Sequence, residues 1–290
     1  MNAQVQSPCQ ANGFIVERMG DYAVAKAEKK IEDCVECRGL GLLRQQITDN
    51  GRKYEVSSPC PASKLRGRLS LFNEAQLPAV HAQATFESFK PYGHEQDRAL
   101  RTAKEFALAF PGTRGFVLAG PVGTGKTHLL ASALKFATIE KGVRSAYIEI
   151  SLLYATIRRG FHEGKSGGEI IGPLSHVDLL AIDELGKGRG SPFELETLDE
   201  LIARRYNAGK VTLFATNYSL RPPEENPSSG YSRTEGLKAE GKDSKLLSDR
   251  VGERIYSRLC EMCDFVEFSS ATKDFRRARA TTTRPSKSSP

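Results

Sequence analysis

The sequence predicts an α/β fold in which a parallel β-sheet is flanked by helices, with a small cysteine-containing domain at the N-terminus. Between residues 115 and 217, short apolar runs that suit buried strands alternate with longer runs that suit helices. Near the N-terminus there are no long periodic runs, and residues 34–41 read CVECRGLG. These two patterns predict a large α/β domain and a separate small one.

The composition is that of a globular protein, with 39% hydrophobic and 27% charged residues over 290 positions. The net charge of +7 and the isoelectric point of about 9.1 favour a polyanionic partner such as nucleic acid, although a solvated basic surface explains them equally well. There is no signal-peptide pattern and no run of about 18 apolar residues, so we expect a cytoplasmic protein without a membrane segment. In that compartment the six cysteines are expected to be metal ligands or free thiols.

Composition and motifs divide the chain into four predicted segments. The N-terminal head is residues 1–70, a linker is residues 71–94, the large domain is residues 95–277, and a disordered tail is residues 278–290. Within the large domain, residues 221–244 are rich in Pro, Gly, Ser and charge, which predicts a mobile loop.

Local signals predict the individual elements. In the head, YAVAKAEKKIEDC (22–34) is predicted to be a helix. In the large domain a helix over residues 95–110 ends before a Pro-Gly pair, and Ser191 with Pro192 begins a later helix. The predicted strands are 115–120, 144–150, 176–184 and 211–217, and the further predicted helices are 126–142, 151–161 and 251–263.

A glycine-rich segment between the first of these strands and the next helix, GPVGTGKT, fits the pattern G-x-x-x-x-G-K-[ST]. Phosphate oxygens need several backbone N–H donors at short range, and glycines let the chain curl that tightly while the helix N-terminus adds a favourable dipole. Lys126 is placed to reach the β- and γ-phosphates, and Thr127 to bind Mg²⁺. The predicted ligands of ATP and Mg²⁺ in this segment are Gly120, Pro121, Val122, Gly123, Thr124, Gly125, Lys126 and Thr127.

Two further strands end in polar residues. The apolar run LLAI is followed by Asp183 and Glu184, and VTLFAT is followed by Asn217. In an open α/β sheet the carboxyl ends of the strands form the edge where ligands bind. We therefore expect Asp183 to hold Mg²⁺ and Glu184 to orient or deprotonate an attacking water. Asn217 either contacts the γ-phosphate or the water, or serves only as a turn residue.

Six segments together carry a family likeness: GPVGTGKTHLL, LLAIDELG, FATNYSL and GERIYSRL, with FNEAQLP and ATFESF upstream. In this order they resemble the DnaC/IstB-like group of AAA+ ATPases, which includes bacterial replicative-helicase loaders and transposase-helper ATPases. The likeness covers about residues 70–277. The motifs are individually common among P-loop ATPases, and their order and wording make the likeness fairly specific.

The resemblance implies a role for each motif. Residues 120–127 would be Walker A, Asp183 with Glu184 would be Walker B, and Asn217 would be sensor 1. Arg258 matches the family's arginine finger, which would reach the active site of a neighbouring subunit and stabilise charge in the transition state.

The resemblance also implies roles for two other arginines. Arg276 matches the sensor 2 arginine of the lid, and Arg254 is a weaker alternative for the finger, one helical turn before Arg258. These arginines lie in a basic stretch, and they would equally serve as surface residues or DNA contacts.

The resemblance also implies partners, namely a replicative DNA helicase, single-stranded DNA, and further copies of the chain. The segment 151–168 lies where such ATPases carry an extra helical element facing DNA. Arg158, Arg159 and Lys165 are the candidate phosphate contacts there, and an exposed basic helix end is the competing interpretation. The 221–244 loop is longer than the family usually has.

The head contains a candidate zinc site. Cys34 and Cys37 have the C-x2-C spacing of one zinc knuckle, and Cys60 follows after a gap that suits a hairpin turning at Asn50-Gly51. A structural zinc site has four ligands, and Ala62 stands where the fourth ligand could have been. The substitutes are Cys9 and, as a poorer one, His81. A degenerate ribbon without metal or a pair of buried thiols is the alternative. Cys260 and Cys263 are interpreted as packing residues or as a chance spacing.

Three functions compete at this point. The leading hypothesis is an ATPase that loads the replicative helicase, with the head gripping the helicase. A transposase-helper ATPase would have the same core, but such proteins usually lack cysteine knuckles. A nucleotide-dependent adaptor with slow chemistry would tolerate Glu184→Gln, whereas in a loader this substitution should trap ATP and stall release.

Overall fold

The computed structural model describes residues 13–220 and 246–275. Several predictions lie outside the described residues: Cys9, Arg276, the 221–244 loop and the 278–290 tail. The chain divides into two compact units, one of Met1–Gln83 with Lys135–Ser145 and the other of Ala84–Leu134 with Ala146–Pro290. The domain bounds predicted from the sequence stay a prediction.

The first unit contains two antiparallel hairpins and one helix. The first hairpin pairs β1 (Phe14–Met19) with β2 (Tyr22–Ala27), and the second pairs β3 (Leu42–Asp49) with β4 (Arg52–Pro59). Helix α1 (Pro61–Glu74) follows, with its proline in the first turn, where a missing N–H is harmless.

The predicted helix over residues 22–34 is wrong, because residues 22–27 form β2. Alanine and lysine favour a helix locally, but Ala23 and Ala25 alternate with more exposed neighbours and are almost fully buried. The Asn73 side chain accepts a hydrogen bond from Ala25 N (2.7 Å) and donates to Ala25 O (3.1 Å). Ala23 N donates to Leu77 O at 2.8 Å, so partners distant in sequence satisfy the second edge of this strand.

The predicted hairpin with an Asn50-Gly51 turn is confirmed. Both residues have positive φ, +48° and +77°, as a two-residue hairpin turn requires, and Asp49 pairs with Arg52 across it. Ile47 lies directly opposite Tyr54, and both side chains are exposed. The hairpin therefore presents an apolar face to solvent, a feature that the sequence pattern did not identify.

The second unit contains the predicted parallel sheet, which has a fifth strand that the sequence analysis did not predict, and its order is β6-β7-β8-β5-β9. Its strands are β5 (Gly115–Ala119), β6 (Ser145–Glu149), β7 (Leu179–Asp183), β8 (Val211–Thr216) and β9 (Cys263–Glu267). The central strands are buried on both faces, and Val117, Leu180 and Phe214 are completely inaccessible.

Seven helices are described after α1, the first of them before the sheet begins. They are α2 (His94–Ala109), α3 (Lys126–Ile139), α4 (Ile150–His162), α5 (Gly167–His176), α6 (Pro192–Asn207), α7 (Leu247–Val251) and α8 (Glu253–Met262). Ser191 caps α6 as predicted, accepting from Glu194 N. The predicted helix over 251–263 is divided at Gly252, whose φ of +82° ends α7 before α8 begins.

Across 13–220 and 246–275, no helix is both long enough and apolar enough to cross a membrane.

Candidate functional site

The sheet order brings three predicted polar segments to one edge. Strand β8 lies between β7 and β5, and all three are parallel, so their carboxyl ends share that edge. The glycine-rich loop follows β5, Asp183 ends β7, and Asn217 follows β8. This is the edge at which open α/β sheets bind ligands.

The backbone of the loop requires glycine at two points. Gly123 and Gly125 have φ of +78° and +95°. A β-carbon at Gly123 would lie 2.0 Å from the Asp274 carboxylate, and one at Gly125 would lie 2.5 Å from the Phe89 ring. A side chain at either position would therefore displace packed neighbours as well as strain the backbone.

Lys126 begins α3 and is almost fully buried. Its ammonium group donates to the carbonyl oxygens of Gly120 (2.7 Å) and Pro121 (2.6 Å). The positive charge is thus held within the loop that the sequence predicts to surround the phosphates. Thr127 lies beside it in the first turn of α3.

Asp183 is 6% exposed, and its carboxylate has two partners. It accepts from the Tyr147 hydroxyl at 2.8 Å and from Glu184 N at 2.8 Å. Burial and the nearby Asp183 charge raise the pKa of Tyr147, so the hydroxyl stays a donor. Carboxylate and hydroxyl oxygens are ligands that Mg²⁺ prefers, so Asp183 and Thr127 fit the predicted magnesium role.

Glu184 has the left-handed φ of +55°, which is uncommon for a non-glycine residue. Its half-buried carboxylate contacts the Lys187 ammonium. Burial raises the pKa of Glu184, and the Glu149 carboxylate raises it further. Lys187 also lies 3.3 Å from Glu149, so one ammonium group bridges two carboxylates.

Asn217 is exposed just beyond the end of β8. The preceding residue, Thr216, is buried, and its hydroxyl donates to Leu185 O at 2.7 Å. This bond joins the end of β8 to the segment after β7, which keeps Asn217 near the Walker B residues predicted from the sequence.

The loop after Glu184 is fixed by a buried arginine that sequence analysis missed. Arg250 on α7 donates to Gly186 O (3.1 Å) and Gly188 O (2.6 Å), and its guanidinium lies 5.1 Å from the centre of the Tyr218 ring. These bonds hold the carbonyl groups on either side of Lys187.

The segment that leads to residue 275 is bound to the glycine-rich loop. Phe275 N donates to Gly123 O at 2.9 Å, and Gln96 donates to Lys273 O at 3.1 Å. The Glu95 carboxylate accepts from Ser269 N at 3.0 Å and also from the Thr272 hydroxyl. Residues 92–96 and the stretch of 269–273 line a cavity of about 290 Å³.

The two candidate finger arginines lie on α8 and share one partner on α6. Arg258 is 19% exposed at its side chain and donates to Asp199 at 2.5 Å, while Arg254 is 75% exposed and lies 3.6 Å from the same carboxylate. The structure therefore places Arg258 in an ion pair within its own chain. The role of either arginine between subunits stays a prediction.

The predicted DNA-contacting residues lie on α4 and in the turn after it. Arg158 is paired with Glu194 at 3.4 Å and lies 5.9 Å from the centre of the Phe193 ring. Lys165 is paired with Glu163 at 2.7 Å, and Arg159 is exposed. Arg159 is therefore the least engaged of the three cations described here.

The predicted cysteine cluster is brought together in the first unit. The sulfur atoms of Cys34, Cys37 and Cys60 lie within 4.8 Å of one another, all three residues are buried, and Cys34 and Cys60 are 3.5 Å apart. Ala62 packs into the same cluster, while His81 is not a member. Three ligand atoms that could hold a metal ion are thus assembled, and Ala62 supplies none. Cys263 is buried, as the packing interpretation expects, whereas Cys260 is exposed and does not fit that interpretation.

Three residues near Asp183 and Glu184 were missed by sequence analysis: Tyr147, Glu149 and Lys187. The signal for two of them was present, because Tyr147 and Glu149 are polar residues two apart in a predicted strand, and so share one face of it. Lys187 had no such signal, since its partners become apparent only once β6 is known to lie beside β7.

A family model described as "IstB-like ATP binding protein" matches residues 63–222, which is more than half of the chain and includes the segments predicted to be Walker A, Walker B and sensor 1. The chain belongs to this family. Membership confirms the resemblance to the DnaC/IstB-like AAA+ group.

Relatives of this IstB-like protein include helicase loaders. The replicative helicase loader DnaC of Escherichia coli (strain K12) is 28% identical over 151 residues, which is 51% of this chain and 61% of that protein. The uncharacterized protein YdaV of the same strain is 27% identical over 213 residues, 71% of this chain and 81% of its own. The chain thus spans under two thirds of the length of DnaC.

A solved structure with a similar fold is the crystal structure of the DnaC helicase loader. It is 27% identical to this chain with a TM-score of 0.54, and the match covers 66% of this chain and 99% of that one. The likeness supports the AAA+ assignment of the parallel sheet.

Proposed function

We propose that this protein hydrolyses ATP to load the replicative DNA helicase onto single-stranded DNA, and that it does so in the cytoplasm. The observation that carries the proposal is the position of Lys126, Asp183 and Glu184 at one sheet edge, in a chain similar to DnaC. A phosphate-binding loop alone would suit any nucleotide binder, whereas a carboxylate that can activate water is needed for hydrolysis.

Each residue has a distinct task in the proposed hydrolysis. Lys126 balances charge on the β- and γ-phosphates, and Glu184 orients or deprotonates the attacking water, with Asn217 as a further contact. Thr127 and Asp183 hold Mg²⁺, which when bound neutralises phosphate charge. Arg258 of a neighbouring subunit and Arg276 would complete the site, as the family resemblance implies.

The distribution of apolar side chains supports a protein-binding role for the head. Among the residues described, ten of the fifteen exposed large apolar side chains lie between Ile15 and Val80, so the first unit is the richer in unburied apolar surface. The face of the β3–β4 hairpin that carries Ile47 and Tyr54 contributes to this surface. A partner such as the helicase would bury it.

The cysteine cluster is proposed to hold zinc. Tetrahedral zinc with thiolate ligands at about 2.3 Å places the sulfur atoms about 3.8 Å apart, which the cluster accommodates with little movement. Cys9 is the proposed fourth ligand. The site would fix the open end of the hairpin, opposite the turn, because Cys37 comes shortly before β3 and Cys60 directly follows β4.

Co-purification with the replicative helicase tests the proposal. We expect the full-length chain to retain the helicase in the presence of ATP, and Ile47→Ser with Tyr54→Ser to weaken retention. The matched control is Gln46→Ser with Thr48→Ser, which alters the opposite face of the same hairpin. Failure of the full-length chain to bind contradicts the loader function, and equal binding by the apolar-face variant contradicts the role of the hairpin.

A transposase-helper ATPase is the second candidate, and the match to the IstB-like family model favours it. It would stimulate a transposase and would not bind the helicase. The same purified protein, tested against both partners, distinguishes the two functions.

A further inference from the structure

The outer edge of β3 is unpaired within residues 13–220 and 246–275. Strands β3 and β4 form a sheet of two, so β3 has a neighbouring strand on one side alone. Its pairing with β4 runs without a bulge from Leu42 with Pro59 to Asp49 with Arg52. No residue in the described ranges hydrogen-bonds to the backbone of β3 on its other side. A long, regular strand with such an edge is a template for another extended chain.

A groove of about 640 Å³ follows this edge. On one side it is lined by four consecutive residues of β3, Leu42, Leu43, Arg44 and Gln45, and none of its lining residues lies on β4. Consecutive strand residues point to opposite faces of a sheet, so the four residues share the edge of β3 and not a face. The opposite wall is formed by residues of the segment 36–40, which contains Cys37. We call this the edge groove.

Backbone hydrogen bonds fix the wall opposite β3. Arg38 N donates to Cys34 O at 2.8 Å, and Leu40 N donates to Cys37 O at 2.9 Å. Both acceptor residues belong to the cluster of three buried cysteines. The groove is therefore formed before any ligand enters it, and binding does not have to order this side.

The edge groove combines apolar side chains with a positive rim. Leu40 is 75% exposed and Leu42 is 49% exposed, so both are available to pack against a ligand. The charged residues that line the groove are Arg38, Arg44 and Glu36. Arg44 lies 3.6 Å from Glu55, but its side chain is 72% exposed, so this ion pair is weak. The groove therefore suits a segment that carries both apolar side chains and carboxylates.

The same charges argue against a second copy of this chain as the occupant. Antiparallel pairing of two β3 edges would bring together the two arginines of each copy, with one carboxylate from each. Like charges that face each other across neighbouring strands destabilise a sheet. An acidic segment forms the same backbone hydrogen bonds and adds an attraction.

We propose that the edge groove binds an extended segment of a protein partner, which pairs with β3 as a third strand and carries apolar side chains flanked by carboxylates. In strand addition, main-chain hydrogen bonds supply affinity and side-chain contacts supply specificity. The inference goes beyond the proposed ATPase function, because it concerns an edge of the hairpin and holds whichever protein supplies the segment.

Selection from a random peptide library displayed on phage tests the edge groove, with the full-length protein as bait. We expect enrichment of peptides in which β-branched residues alternate with Asp or Glu. A selected peptide, labelled with fluorescein, should bind Arg44→Glu at least about fivefold more weakly than wild type. The matched control is Arg52→Glu, which reverses another exposed charge of the same hairpin outside the groove, and it should bind as wild type does.

Two further measurements test the pairing with β3. Bound peptide should slow hydrogen exchange of the backbone amides in residues 42–45. N-methylation of one alternate set of peptide amides should abolish binding and N-methylation of the other set should not, because one edge of the added strand faces β3. Ile47→Ser with Tyr54→Ser should leave peptide binding unchanged, because neither residue lines the groove.

Several outcomes overturn the proposal. They are a selection that yields no peptide or peptides rich in Lys and Arg, equal weakening by Arg44→Glu and Arg52→Glu, equal effects of the two N-methylated sets, and unchanged exchange at residues 42–45. Exchange at these residues that slows as protein concentration rises, without peptide, would assign the edge to a second copy and overturn it as well.

Discussion

Arg258 donates to Asp199 at 2.5 Å within the same chain, although the family resemblance assigns this arginine to a neighbouring subunit's active site. An arginine finger must leave such a partner before it can approach phosphate. The exposed Arg254 lies 3.6 Å from the same carboxylate, so Asp199 keeps a nearby cation in a variant that lacks Arg258.

Arg258→Ala is expected to lower kcat by at least about tenfold in the assembled protein, because charge in the transition state loses a cation. Mixing Arg258→Ala with Lys126→Ala protein should restore activity, since mixed assemblies contain sites with an intact loop and an intact finger. Steady-state ATPase assays of each protein and of the mixture measure this. Asp199→Asn should stay active; a loss equal to that of Arg258→Ala would mean that the pair is only structural.

Lys126→Ala and Glu184→Gln are expected to separate binding from hydrolysis. Loss of the Lys126 ammonium should weaken ATP binding, whereas Glu184→Gln should bind ATP normally and reduce hydrolysis by about a hundredfold or more. Equilibrium binding of a fluorescent ATP analogue and phosphate release provide the two measurements. Helicase loading that survives Glu184→Gln would favour the adaptor function.

The zinc content of the purified chain is expected to be one atom per protein, and Cys60→Ser should lose it. Ala62→Cys places a further thiol in the buried cluster, so in a Cys9→Ser background it should slow removal of zinc by a chelator. Metal analysis and chelator kinetics measure these effects. Wild-type protein without zinc would leave the three cysteines as buried thiols.

The Glu95 carboxylate is expected to make the stability of the folded protein vary with pH in the acidic range. Hydrogen bonds from Thr272 and Ser269 hold the pKa of Glu95 below its ordinary value of 4.5. A depressed pKa stabilises the fold above pH 4.5, and this stabilisation is lost as the pH falls through the lower, folded value. Thermal unfolding should therefore separate wild type from Glu95→Gln at pH 7 more than at pH 3. Glu87→Gln, at an exposed position nearby, is the control.

Arg159 is expected to contribute more to single-stranded DNA binding than Arg158. The first is exposed, while the second is already paired with Glu194. Arg159→Ala should weaken binding and reduce the slope of log affinity against log salt by about 0.7, the value for one phosphate contact on a single strand. Fluorescence anisotropy at several salt concentrations measures both quantities. An unchanged slope would indicate that α4 does not contact DNA.

Sequence patterns correctly predicted those elements whose conformation is determined by a short segment of the chain. GPVGTGKT requires a tight loop before a helix whatever surrounds it, and Asn50-Gly51 requires a hairpin turn. The family resemblance, confirmed by the family model, extended these local predictions to the AAA+ fold.

The wrong prediction and the missed residues depend on contacts between residues that are far apart in the sequence. Residues 22–27 form a strand because Asn73 and Leu77, about fifty residues away, satisfy its edge. The grouping of Glu149 with Lys187 and Glu184 depends on β6 lying beside β7, an order that no single segment contains. Arg258 was selected by resemblance alone, and its partner Asp199 lies 59 residues earlier.

Arg250 connects two parts of the second unit, the loop after Glu184 and the segment of α7 and α8. Its planar guanidinium binds two carbonyl oxygens while lying over Tyr218, a geometry that a lysine could not reproduce. At one end is the loop with Lys187; at the other, across Gly252, is the helix with Arg258. A substitution at Arg250 would therefore disturb the loop beside Glu184 and the start of that helix together.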